Sequence, residues 1–155
     1  MNSVTQRRDL HFDSLQDALA DAEALSSQSV VTRGSYSLGQ ILEHLARTID
    51  VVTGDRESPP IPLPIRMVAR LFRSKFLNGP MKPGFKLPSK AQSVFWPSEE
   101  VETSAGLQHY RESIDRFNRT EPLPKHVLLG NMTRPEHIQL QCRHAELHLS
   151  FVLPE

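Results

Sequence analysis

A chain of 155 residues has the length of one domain and can bury a real hydrophobic core. Hydrophobic residues at 38% against 23% charged exclude a disordered chain, and 18 basic residues balanced by 18 acidic ones give no net charge that would point to nucleic acid. The single cysteine, Cys142, excludes an intrachain disulfide and a cysteine-rich zinc site, which suits a reducing cytoplasm.

Residues 1–13 lack the apolar run of a secretory signal, and no stretch approaches the eighteen or more apolar residues that span a bilayer. A cytoplasmic protein without stable membrane insertion is therefore expected. Residues 14–27 carry Leu15, Ala18, Leu19, Ala22 and Leu25 at three- and four-residue steps, which predicts a first helix capped by Asp13 or Ser14. Residues 38–52 repeat the pattern with Leu38, Ile41, Leu42, Leu45, Ile49 and Val52. Ser37 and Gln40 have capping-box spacing, and Gly54-Asp55 stops this second helix.

A proline-rich crossover follows over residues 58–97. It opens with Pro59, Pro60, Pro62 and Pro64, and turns at Gly79-Pro80 and Pro83-Gly84. Within it, residues 65–77 predict a short amphipathic helix, with Ile65, Val68, Ala69, Phe72 and Phe76 on one face and Arg66, Arg70 and Arg73 on another. Phe95 and Trp96 are expected to anchor the return of the crossover. A third long helix over 104–119 presents Leu107, Tyr110, Ile114 and Phe117. A fourth starts at the capping box of Thr133 and Glu136, continues through Phe151 and ends near Pro154. The expected fold is all-α, a single domain over residues 1–155: a four-helix bundle whose long crossover, with its extra helix, joins helices two and three.

The sharpest chemical signal is His144-Ala145-Glu146-Leu147-His148. Histidines four residues apart project from one face of a helix and can hold a single metal ion. Glu146 does not stand at the second position of the motif, so this is not the metalloprotease signature. The plain alternative is two partly buried histidines with ordinary partners. A third ligand must come from another helix, and His44, about 60° from Ile41 around its helix, is the best candidate. His137 shares the face of His144 but lies seven residues earlier, about 10 Å along the axis, so it reads as a pocket-mouth or structural residue. His126 lies in the turn before the fourth helix, and His11 and His109 have no partner by spacing, so all three read as structural or exposed residues. Cys142 lies about 160° around the helix from His144, which places a cysteine–histidine pair poorly. Tyr36, Tyr110 and His137 remain as candidate pocket residues.

Ser37-Leu38-Gly39-Gln40-Ile41-Leu42-Glu43-His44-Leu45-Ala46 resembles the second-helix motif of the DinB/YfiT-like superfamily, and Arg143-His144-Ala145-Glu146-Leu147-His148-Leu149-Ser150-Phe151 resembles its fourth-helix motif. Arg8-Asp9-Leu10-His11-Phe12-Asp13-Ser14-Leu15 and Leu129-Gly130-Asn131-Met132-Thr133 are similar to the DUF1569 branch of that superfamily. Tyr36 stands where the superfamily commonly has tryptophan. The resemblance covers nearly the whole chain. It implies a divalent ion, nickel or zinc, on His44, His144 and His148, with positions left open for water or substrate. It also implies chemistry of the kind found in thiol-dependent S-transferases and a thiol-dependent isomerase, where a small-molecule thiol approaches the metal and acts on a small-molecule substrate. The opposing expectation is a non-catalytic bundle, a binding or stress-related protein that keeps the histidines as polar core residues.

Arg66, Arg70, Arg73, Lys75, Lys82, Lys86 and Lys90 concentrate positive charge between residues 66 and 90. Three readings stand for this stretch. It is a lid whose Arg66, Arg70 and Arg73 attract an anionic substrate, a membrane-surface helix, or an insertion packing Val68, Phe72 and Phe76 on the bundle with its arginines in solvent. A homodimer is compatible with so small a bundle.

Overall fold

The computed structural model describes residues 6–84 and 87–155; Lys86, one of the seven crossover cations, lies outside the described residues. The chain is mostly helical, with seven helices and one short ribbon among those residues: α1 (Leu15–Ser26), β1 (Val30–Thr32), α2 (Leu38–Thr53), α3 (Leu63–Leu71), α4 (Arg73–Asn78), α5 (Ser89–Phe95), α6 (Thr103–Arg119), α7 (Arg134–Leu149) and β2 (Val152–Pro154). The all-α class expected from periodicity is the class observed.

Local signals set the ends of the long helices. Ser14 accepts a hydrogen bond from the Asp17 N–H and starts α1. Ser37 with Gln40, and Thr133 with Glu136, close two complete capping boxes, each worth about 1 kcal/mol. Gly54, at φ 84°, ends α2 in the left-handed region that favours glycine. All five apolar residues of the α1 stripe are buried.

The core lies among α1, α2, α6 and α7. Leu25, Leu42, Ile49, Tyr110, Ile114, Phe117 and Leu149 are its largest fully buried apolar side chains. Helix α2 runs along α6, α1 rests against α6 and α7, and α7 also touches α2. Gly39 meets Gly106 near the start of both α2 and α6, and Asp50 meets Ser113 and Arg116 further along both, so these two helices point the same way. Parallel neighbours cannot be joined by a tight turn, which is the physical reason for the long crossover between them. The contact is close: a Cβ on Gly39 would lie 1.9 Å from the Val101 carbonyl oxygen, and one on Gly106 would lie 2.6 Å from that of Gly39.

Three features differ from the sequence expectations. The apolar tail after His148 does not extend α7, which stops at Leu149; it forms β2, paired antiparallel to β1 with Val31 opposite Leu153. Strands of three residues are too short to show alternation, so periodicity could not announce this ribbon. The single extra helix expected over 65–77 is divided at Phe72 (φ −97°, ψ 14°) into α3 and α4, and α5 adds a third crossover helix. Finally, the face expected to pack inward does not. Val68, Phe72 and Phe76 are exposed, while Ala69 and Leu77 are buried against Leu129 and Leu140 in a small second core. The burial of Ala69 and Leu77 sets this orientation, and on the same side Arg73 pairs with Glu136 and donates to the Asn131 carbonyl at 2.8 Å.

Candidate metal centre

Helix α2 supplies His44 and the last turns of α7 supply His144 and His148. Their ligand atoms all lie within 4.8 Å of one another. The Nε2 of His144 stands 3.0 Å from that of His44 and 3.1 Å from that of His148. Nitrogens sharing one ion at bonds of about 2.0–2.1 Å stand about 3 to 3.5 Å apart, so both separations already have ligand spacing. The rings meet edge to face, with His44 at 75° to His144 and 80° to His148, so each presents an edge to a common region.

His44 is buried at 4% exposure, and its Nδ1 lies 3.0 Å from the Phe95 carbonyl oxygen. A carbonyl only accepts, so Nδ1 carries the proton, and the neutral ring turns the lone pair of Nε2 toward His144. This is the tautomer a metal ligand needs, fixed by a backbone partner of the usual kind. Trp96 stacks on the same imidazole at 3.7 Å with the planes 3° apart, and Tyr36 stacks on the other face of Trp96 at 3.9 Å. His148 meets the Trp96 ring edge-on at 5.2 Å. Trp96 packs against the main core as an anchor of the crossover's return, whereas Phe95 contributes its backbone carbonyl, and the two together orient His44.

Burial governs the electrostatics. It holds His144 down at about 4, and it places His44 and His148 well below the ordinary histidine value, with the neighbouring rings adding to the depression. All three imidazoles are therefore neutral, with lone pairs available, at physiological pH. The end of α7 that carries them is held firmly. Arg8 donates to the Leu149 and Val152 carbonyls at 3.1 and 2.8 Å and pairs with Asp21 at 2.6 Å. The Phe12 N–H donates to Glu146 at 2.6 Å, and Arg143 pairs with the same carboxylate at 3.0 Å. Arg8 thus takes the last carbonyl of α7, Phe12 is tied to a side chain of its last turns, and the ribbon follows.

The other sequence candidates fall elsewhere. Tyr36 reaches the site only through Trp96. Tyr110, 1% exposed, is a core residue. His137 is also buried; its ring lies 5.9 Å from that of His126, and neither of its nitrogens has a hydrogen-bond partner among the described residues. Arg70 and Arg73 line a cavity of about 260 Å³ with Lys125, Leu129, Gly130 and Asn131. Arg73 pairs with Glu136, two turns and about 12 Å before His144 along α7, so this cavity belongs to the other end of the helix. Arg66 lies in α3, with its Nε buried and unpartnered among the described residues. Cys142 is buried in the main core, and burial pushes its thiol up to about 11.

One polar network escaped the sequence reading. His109 on α6 bridges two carboxylates of α2, with Nδ1 2.6 Å from Glu43 and Nε2 2.7 Å from Asp50. Ser113 and Arg116 both donate to the other oxygen of Asp50 at 2.7 Å. The signal was present as two stripes: Glu43 and Asp50 seven apart on α2, and His109, Ser113 and Arg116 at steps of four and three on α6.

Fold and site together define a helical protein with a three-histidine cluster suited to a divalent ion. The chain belongs to the family described as "Protein of unknown function (DUF1569)", whose model matches residues 4–155. No curated protein and no solved structure matches the chain.

Proposed function

We propose that this chain is a single-domain, DinB-like four-helix bundle, with α1, α2, α6 and α7 as its bundle helices, and a metal-dependent enzyme whose nickel or zinc ion is held by His44, His144 and His148. The observation that carries the reading is the convergence of three neutral imidazole edges from two helices, with the tautomer of His44 set by the Phe95 carbonyl. Donor type also fits: three nitrogens suit zinc or nickel better than calcium or magnesium, which take oxygen. An ion in this site supplies Lewis acidity toward water, a thiol or a carbonyl group.

The chain's own residues do the rest. Trp96 covers one face of His44 and shields it from water, while the partial exposure of His144 and His148 leaves the approach open on their side. Cys142 and Tyr110 are enclosed in the core, so neither serves as a nucleophile. The attacking group is then a water or a small-molecule thiol brought to the ion, and the resemblance to the DinB/YfiT-like superfamily favours the thiol, in a thiol-dependent S-transferase acting on a small molecule.

A second reading has an observation of its own. His44 and His148 both lie within hydrogen-bond distance of His144 Nε2, so the cluster can serve as a polar core in a non-catalytic protein. That arrangement is poorly satisfied, because one Nε2–H would be shared between two acceptors and His144 Nδ1 is buried without a partner among the described residues.

Metal analysis of protein purified without a histidine tag separates the two. The enzyme reading expects about one equivalent of nickel or zinc per chain, lost in His144→Ala and in His44→Ala, and thiol consumption with electrophilic substrates only in the loaded protein. Tag-free protein that neither carries nor takes up either ion at micromolar concentration overturns it.

A further inference from the structure

Eight large hydrophobic side chains are exposed among the described residues, and seven of them fall on one segment: Leu63, Ile65, Met67, Val68, Leu71, Phe72 and Phe76. Leu71 alone is 80% exposed. Apolar side chains concentrated in this way on a helical surface mark an interaction site. The orientation is enforced, since Ala69 and Leu77 are seated in the second core and Arg73 is tied to Glu136 and Asn131 on the opposite side. Helices α3 and α4 therefore present an outward apolar face that the other described residues leave uncovered.

Charge selects the occupant. No aspartate or glutamate occurs between residues 58 and 98, a stretch that carries Arg66, Arg70, Arg73, Lys75, Lys82, Lys86 and Lys90. The described cations Arg70, Lys75 and Lys82 have no ion-pair partner among the described residues, and Arg70 lies beside Lys125 in the cavity next to the helix. A second copy docking through the same segment would bring further cations and no carboxylate to it. An anionic surface would bring the opposite charge. Exposed Leu, Ile, Met and Phe side chains on short helices flanked by lysine and arginine are the pattern of an interfacial membrane helix.

We propose that α3 and α4 dock this protein peripherally on an anionic lipid bilayer, with Leu63, Met67, Leu71 and Phe72 entering the interface and the exposed Lys75 and Lys82 meeting phosphate headgroups. No helix among the described residues is long and apolar enough to cross a membrane, so the contact is superficial and reversible. The inference does not depend on the metal reading.

The test is co-sedimentation of the full chain with vesicles of phosphatidylcholine alone or with about 30 mol % phosphatidylserine. Partitioning is expected to be about tenfold stronger on the anionic vesicles and to weaken as salt is raised. The double substitution Leu71→Asp/Phe72→Asp is expected to reduce it about tenfold further, with helical circular dichroism unchanged because both side chains are exposed. Lys75→Ala/Lys82→Ala should lower binding to the anionic vesicles and leave the weak binding to neutral ones in place. Equal, negligible partitioning on both vesicle types overturns the proposal. So does a dimer in sedimentation velocity that dissociates on Leu71→Asp/Phe72→Asp, since the face would then belong to a second copy.

Discussion

Raising the pH from about 6 to about 10 should withdraw stability from this chain through one ring, that of His109. Its hydrogen bonds to Asp50 and then Glu43, followed by the charges of those carboxylates, outweigh its desolvation and lift its pKa to about 9 in the folded state. In the unfolded chain the value is about 6.5. A raised folded value means that folding favours the protonated ring. The contribution is complete below about pH 6.5 and disappears as the pH climbs through about 9. The gap corresponds to about 3 kcal/mol, and with the side chain 28% exposed, solvent screening reduces this to about 2 kcal/mol. The depression of Glu43 to about 2 reports the same ion pair from its other partner and is not added. Urea unfolding of the wild type and of His109→Gln across this pH range isolates the effect, since glutamine keeps a donor but cannot charge. The difference between the two proteins should be about 2 kcal/mol near pH 6 and shrink toward zero near pH 10. Parallel curves for the two proteins would refute the reasoning.

Gly39→Ala should destabilise by about 3 kcal/mol and lower Tm by about 6 to 12 °C, because its Cβ meets a backbone carbonyl that no side-chain rotation can move. Gly34→Ala, with open space around it, should stay within about 1 kcal/mol of wild type, and equal effects in the two would count against the helix contact. Trp96→Ala removes the stacking partner of His44 and should weaken nickel or zinc affinity about tenfold in a chelator competition, while retained affinity would deny Trp96 its orienting role. Cys142 should react with a disulfide reagent only at the rate of unfolding, because burial raises its thiol to about 11; labelling within the mixing time of the native protein would contradict that burial.

Much of the fold was legible because local rules act within one turn. Ser37 with Gln40, and Thr133 with Glu136, announce helix starts through groups three residues apart, and the closed capping boxes stand where those pairs place them. The ribbon was not legible, since three residues carry no usable period and Val152 fits a helical stripe as well as a strand. The α3–α4 segment shows why an amphipathic pattern does not reveal which side faces inward. Its arginine face and its apolar face were both plain, but which side meets the body of the protein depends on the seating of Ala69 and Leu77 against Leu129 and Leu140, with Arg73 paired to Glu136 63 positions away. His109 was passed over for a related reason: its two carboxylates lie on another helix, and a search along one helix does not see them.

The sequence by itself determined that this is a helical chain with an i, i+4 histidine pair on its last helix, because helix periodicity, caps and the spacing of His144 and His148 are all properties of neighbours. It also offered His44 as a third member of the cluster. Only the tertiary structure decided that His44 reaches that pair, that Phe95 sets its tautomer and Trp96 its plane, and that the apolar side of α3 and α4 looks outward. Those outcomes depend on contacts between residues fifty or a hundred positions apart, which periodicity along one helix does not encode.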